Sequence, residues 1–416
     1  MVTRALRGLA VATGLLAAVT PGMAASAGPA AAAPVAAGPA AVARPGPAAA
    51  SWSKVAVTDS YANQAGILRL AGGQLHLVWR QRLRNGTFAY RTATFSASGH
   101  VQSTGTALSG WTTLEGDPRL IPGGPAIRLV FIGGQDTNPS NFFSVGAVYT
   151  EVSNGGPAWS LVHASMAQHT VLNLGLAAVA RKDKTPVAAF GLNNVLYYHV
   201  GLDPSAPAGS PDGSVTGPVA VGLQYPALAR ASDGSVWLAW YEGGQHRGYY
   251  VDKILPTAGT PRRAPGSGTA TSADNEPYQQ VAFASRPGGG LYLAYCVPTK
   301  TVQCAHVDLW RLGSAHAATV PGSATGHAGR VALGQGTGGR MWLAWYDFGA
   351  NVVRVVRTGT KGSGFGAVAK VARPGPAFSL NGLQGEGSRG PLDLIANITV
   401  LKPAAHQELW HIHLPG

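Results

Sequence analysis

Ser232-Asp233-Gly234-Ser235-Val236-Trp237-Leu238-Ala239-Trp240 is a tight polar turn running straight into a five-residue apolar strand that ends on an aromatic. The same strand recurs six more times, as Leu75-His76-Leu77-Val78-Trp79, Ile127-Arg128-Leu129-Val130-Phe131, Pro186-Val187-Ala188-Ala189-Phe190, Leu291-Tyr292-Leu293-Ala294-Tyr295, Met341-Trp342-Leu343-Ala344-Trp345 and Leu392-Asp393-Leu394-Ile395-Ala396. Successive copies start 52, 59, 50, 55, 50 and 51 residues apart. A period near fifty residues is that of a propeller blade rather than of a solenoid repeat. Central strands apolar on both faces, such as Val236 to Trp240, fit sheets that pack against a neighbour on each side.

A turn and an earlier strand precede each copy, as in Pro226 to Arg230, and a third strand follows, as in Gly248 to Leu255 or Val352 to Thr358. A weaker fourth strand, such as Ala367 to Val371, comes before the next copy. Four strands repeated seven times predict an all-β, seven-bladed β-propeller over residues 51–416. The last copy has three strands before Gly416, and Trp52 to Thr58 lies alone before the first. We expect that N-terminal strand to complete the C-terminal blade, which would leave no open edge in the ring.

Composition agrees. Fifty-seven glycines, 29 prolines and only 12% charged residues suit many short strands joined by tight turns, and 45% hydrophobic residues supply a sizeable core. Ahead of the repeats, Arg4 and Arg7, the apolar run Leu9 to Val19 and Ala25-Ser26-Ala27 have the order of an export signal, so residues 1–27 are expected to be a signal peptide cut after Ala27 or Ala25. Residues 28–50 are almost wholly Ala, Pro, Gly and Val without periodicity, the composition of a disordered spacer. The expected product is secreted, extracellular and monomeric, with no membrane span.

In an oxidising compartment the two cysteines, Cys296 and Cys304, are expected to form a disulfide across a hairpin tip. The alternatives are two free thiols, or a metal site for which two sulfurs lack a partner set. A formal net charge of +13 favours anionic surfaces such as wall polymers or acidic glycans. The Lys and Arg are scattered, with no nucleic-acid module. No Walker loop, dinucleotide fingerprint, HExxH or nucleophile elbow is present, and no cofactor or metal is expected.

The segment Pro226 to Trp240 resembles the blade motif of sialidase-like propellers and of bacterial propeller lectins. That resemblance implies architecture only. The Asp box of sialidases has the form Ser-x-Asp-x-Gly-x-x-Trp, whereas Ser232, Asp233 and Gly234 are contiguous here. Sialidases also carry an early Arg-Ile-Pro, and the corresponding stretch here is Ala65-Gly66-Ile67-Leu68. Glycosidases in general need a positioned carboxylate pair or a Tyr-Glu substitute, and the 18 carboxylates show no paired motif.

In a propeller, the loops before the innermost strand and those between the second and third strands emerge together around the channel mouth. Ligand-binding residues are therefore expected among Asn63, Asp117, Tyr225, Asp274, Glu276 and Tyr278 from the first loops, and Arg80, Glu242 and Asp347 from the second. Asp117, Tyr225 and Glu276 each precede a proline that opens an inner strand: they are either a polar ring for a ligand or residues that proline holds extended. Glu242 and Asp347 follow Trp240-Tyr241 and Trp345-Tyr346, the company of sugar recognition, or else of strand-end capping beside inter-blade core. His411 and His413 share one face of the last strand, too few ligands for a metal and more in keeping with blade packing. The expected function is a non-catalytic propeller recognising carbohydrate or another cell-surface polymer. The alternatives are an exported glycoside hydrolase or lyase using carboxylates at the channel mouth, and a protein-interaction scaffold.

Overall fold

The computed structural model describes residues 50–415 apart from 59–63, 115–116, 125, 135–146, 154–157, 166–174, 193–194, 202–212, 216–223, 244–245, 269–280, 300–303, 376–377 and 402–403. These residues form seven antiparallel sheets of four principal strands each, in a ring: an all-β, seven-bladed propeller. In the first blade the order from the centre outward is Gly66–Arg69, Leu75–Arg82, Phe88–Phe95 and Val101–Trp111. The fourth blade runs Gln224–Arg230, Val236–Glu242, Gly248–Leu255 and Arg262–Arg263, and the sixth Ala328–Gln335, Met341–Asp347, Val352–Arg357 and Ala369–Ala372. The second blade holds an extra short strand, Thr113–Leu114, paired with Ala126–Gly134. The seventh sheet comprises Phe378–Glu386, Leu392–Val400 and His406–Leu414, with Ser53–Thr58 paired antiparallel to His406–Leu414 as its outermost strand.

Local chemistry explains the polar turns between strands. Asp233 Oδ1 accepts from Ser235 N at 2.9 Å and from Ser235 Oγ at 2.6 Å, and Gly234 takes the left-handed φ of +91° that a side chain would resist. Asn85-Gly86-Thr87 repeats the device, with Thr87 N donating to Asn85 Oδ1 at 3.1 Å. The second strands are almost wholly buried, and Trp240 and Trp345 have no exposed surface. Each such ring packs between two blades: Trp240 against Val187 and Ala189 of the third, Trp345 against Cys296 and Leu309 of the fifth.

Hydrogen bonds stitch neighbouring blades at both ends of the inner strands. At one end Arg119 Nε donates to Leu176 O at 2.7 Å and Arg330 Nε to Leu380 O at 3.1 Å, each reaching the next blade. At the other, Arg230 Nη1 donates to Ala180 O at 3.1 Å and Gln335 Nε2 to Ser285 Oγ at 3.0 Å, each reaching back. Between the seventh and first blades both kinds occur. Gln384 exchanges two bonds with the Ala65 backbone at 3.0 and 2.8 Å, and Arg69 Nη2 donates to Asp393 Oδ2. At the position where the fourth, fifth and sixth blades place Trp237, Tyr292 and Trp342, the seventh carries Asp393, so its junction with the first blade is ionic.

Cys296 and Cys304 are bridged, with Cα atoms 4.9 Å apart and both residues buried against the sixth blade. The bridge closes a short loop, so its reduction is expected to destabilise the protein by about 2 to 3 kcal/mol. Denaturant midpoints with and without a reductant measure this; equal midpoints would contradict it.

Candidate functional site: the channel mouth

The inner strands of the seven blades stand around a channel with a cavity of about 320 Å³. Most of its wall is backbone and small or aliphatic side chains, among them Ala65, Ala177, Ala227, Ala282 and Ala332. Short side chains are needed there because seven strands converge on one axis. Against that wall, Gln64, Asp117, Arg119, Tyr225 and Gln384 supply polar groups.

Asp117 and Arg119 stand two residues apart at the start of the second blade's inner strand. Asp117 Oδ1 accepts from Gln64 N at 3.0 Å, and Arg119 Nη2 donates to Gln64 Oε1, so the first and second blades share one network. Burial pushes the Asp117 carboxyl above its ordinary pKa; Arg119, the Gln64 N–H and Arg80 pull against it without prevailing. Burial likewise holds the Arg119 guanidinium below its usual value, opposed by Asp117. Arg80 is buried, donates through Nη1 to Leu114 O and lies 5.0 Å above the Phe88 ring. Its charge therefore reaches Asp117 from a fixed position behind the channel wall.

Tyr225 has φ +54°, a left-handed conformation and not the extended one that a following proline favours. The cause is local: between Gln224 and Ala227 the pairing register shifts, which makes a β-bulge at Tyr225 and Pro226. Gly175 of the third blade lets the bulge approach, since an added Cβ would lie 3.2 Å from Pro226 Cδ. The sixth blade repeats the bulge at Arg330, φ +51°, between Gly329 and Ala332. Bulges of this kind re-aim side chains, and strained non-glycine backbone gathers at ligand sites.

The other sequence candidates separate. Asp347 is buried and holds its own hairpin: Ala350 N donates to Oδ1 at 3.0 Å and Arg354 Nε to Oδ2 at 2.8 Å. Burial alone would raise its pKa, but those donors outweigh it and leave the carboxyl below the ordinary range. Glu242 has no exposed surface and lies behind the wall at the end of its strand. Asp117 and Tyr225 line the channel, whereas Arg80 lies buried behind its wall. Asn63, Asp274, Glu276 and Tyr278 lie outside the described residues.

Sequence reasoning missed Arg119 and Gln384 as site residues. Arg119 has a legible signal in its Asp-Pro-Arg spacing from Asp117, whereas nothing in the sequence ties Gln384 to Ala65, 319 residues away. Glu386 also lines the channel, but it ends its strand and accepts from Ser388 N at 2.7 Å, so it stands at the opposite end from Asp117. Among the described residues no group of three or more His, Cys, Asp or Glu is placed to hold a metal ion. No described helix is long and apolar enough to cross a membrane.

No protein-family model and no curated protein matches the sequence. Similar solved structures include a puromycin-hydrolysing peptidase of Mycobacterium tuberculosis, with 12% identity, a TM-score of 0.50, and 83% of this chain and 50% of that chain covered. Trypanosoma rangeli sialidase matches at 11% identity and TM-score 0.48 over 86% of this chain and 55% of its own. A Dyadobacter fermentans protein of unknown function matches at 10% identity and TM-score 0.44 over 72% and 94%. The chain spans about half the length of the peptidase and the sialidase, and at these identities the likeness is one of fold: a β-propeller.

Proposed function

We propose that this protein is an exported, non-catalytic binding propeller that recognises a carbohydrate or another cell-surface polymer at the channel mouth. The observation that carries the reading is the constellation of Asp117, Arg119, Gln64 and Gln384 on a channel that the strained Tyr225 also lines. Fixed donors and acceptors on a channel that an aromatic residue also lines match the hydroxyl edges and C–H faces of a sugar. The groups are braced by one another and by the backbone, so binding costs little ordering entropy. The signal-like N-terminus, the disulfide and the positive net charge are consistent with an extracellular polymer as ligand.

A hydrolase would need a second carboxylate near Asp117. Among the described residues lining the channel, the other carboxylate is Glu386, at the far end.

Screening the purified protein on a glycan array and against bacterial wall polysaccharide tests the reading. Binding is expected, and Arg119→Gln is expected to weaken it about tenfold or more, the effect of losing one charged hydrogen-bond donor. Absence of binding to every glycan and wall fraction would overturn the proposal. Turnover of a chromogenic or polymeric sugar, abolished by Asp117→Asn, would replace it with the hydrolase reading.

A further inference from the structure

A second cavity lies on the opposite face of the ring, between the third and fourth blades, where the turns joining first to second strands emerge. Its volume is about 860 Å³, and its lining includes Arg181, Lys182, Asp183, Asp233, Lys253 and Pro256. Three cations therefore share one cleft with two carboxylates.

Both carboxylates are committed to their own turns. Asp183 Oδ1 accepts from Thr185 N at 3.0 Å, and Asp233 Oδ1 accepts the two Ser235 bonds already described. Each acid is held below its ordinary pKa, Asp183 first by the Thr185 backbone N–H and Asp233 first by the Ser235 hydroxyl, so both charges serve as turn locks. The cations are less committed: the nearest pairing is Arg181 Nη2 to Asp183 Oδ2 at 3.9 Å, with both side chains substantially exposed. Lys184, on the same turn, is held at φ +71° by the bond from its N–H to Arg181 O at 3.0 Å and adds a fourth positive charge beside the cleft.

We propose that this inter-blade cleft is a second binding site, for an acidic polysaccharide chain bearing carboxylate or sulfate groups. The volume accommodates two or three sugar units. Leu255 and Pro256 give its floor an apolar surface against which ring C–H groups can lie. Among the described residues no aromatic ring lines the cleft for a base to stack on, which favours polysaccharide over single-stranded nucleic acid. Arg181 and Lys182 stand on a turn of the third blade and Lys253 on the third strand of the fourth, so the spacing of their backbones is preset.

The site is independent of the channel mouth, and the experiment separates the two. Binding of dextran sulfate, polygalacturonate and neutral dextran of matched length is measured at 150 mM salt for the wild type, the double variant Lys182→Gln/Lys253→Gln, and Lys370→Glu, which changes net charge equally at an exposed position on the sixth blade's outer strand. Dextran sulfate or polygalacturonate is expected to bind and neutral dextran not. The double variant is expected to lose about tenfold or more, Lys370→Glu less than twofold, and Arg119→Gln nothing. The relative strength of the two acidic polymers tells sulfate from carboxylate. Equal losses in the double variant and Lys370→Glu would show net charge alone at work and overturn the site, as would absence of binding to both acidic polymers. Tighter binding of a single-stranded oligonucleotide of equal charge would overturn the ligand class. Should folding of the double variant be impaired, Lys182→Glu alone, at an exposed turn residue, gives the same comparison with a smaller loss.

Discussion

Deleting residues 1–60 is expected to lower the melting temperature by about 10 °C and to cut soluble yield, while deleting residues 1–50 is expected to change neither by much. The difference is the strand Ser53–Thr58 and the residue before it. Five residue pairs join that strand to His406–Leu414. Trp52 Nε1 donates to Ala372 O of the sixth blade at 2.6 Å, and Val55 and Ala56 pack on the cluster containing Leu75, Trp79, Ile395 and Leu409. At about 0.5 to 1.5 kcal/mol for each net hydrogen bond, plus lost apolar burial, the strand is worth on the order of 5 kcal/mol. The conversion to a melting shift follows from about 2 °C per kcal/mol in a domain of this size. The ion pair of Lys54 with Glu408 at 3.1 Å adds little, because Lys54 is half exposed. Equal melting of the two truncations would show that the strand does not hold the last blade.

Acid is expected to destabilise the junction between the seventh and first blades. Asp393 is fully buried and accepts from His411 Nε2 at 2.7 Å, from His413 Nδ1 at 3.0 Å and from Arg69. A carboxylate contact would by itself favour imidazolium, but burial, then His413 and Arg69, outweigh it and lower the His411 pKa to about 4. Burial, followed by Arg69, also lowers that of His413. A histidine whose folded pKa lies below its unfolded value of about 6.5 binds more protons when unfolded. Its contribution is therefore complete above pH 6.5 and is lost as pH falls towards 4. For His411 the loss is at most about 3 kcal/mol, since each tenfold change in proton affinity corresponds to about 1.4 kcal/mol. Asp117, whose pKa is raised, acts in the opposite sense at the acid end, so the comparison must be differential.

The variant His411→Gln keeps a side-chain donor for Asp393 and is expected to flatten the decline in stability between pH 7 and 4. Unchanged slopes in variant and wild type would remove His411 from the account. A direct check needs no variant: the His411 ring resonances of the wild type should not titrate above about pH 5.

Much of this architecture is legible in the sequence because a propeller repeats. Val236 to Trp240 and Met341 to Trp345 carry the same apolar pattern at the same offset from an Asp-Gly or Gly-Gly turn, and local chemistry sets both turn and strand. The cysteine pairing was legible for a similar reason, since its ends lie only eight positions apart. The candidate site was only half legible. Asp117 and Tyr225 stand out by their place before an inner strand, yet Arg119 and Gln384 gain their meaning from blades that meet only when the ring is formed.

Equivalent positions also diverge in ways no pattern reveals. Glu242 and Asp347 look alike in the chain, but Asp347 has Arg354 within 2.7 Å while Glu242 is buried behind the channel wall. His411 and His413 read as a lone pair on one strand until Asp393, on the neighbouring strand, and Arg69, 324 residues from it, arrive beside them. The repeat, the turns and the strand faces could be read from the chain alone, because they depend on residues within one blade. The Tyr225 bulge against Gly175, the Asp117 network and the ionic junction could not, because each joins groups from different blades whose energies exist only at contact distance.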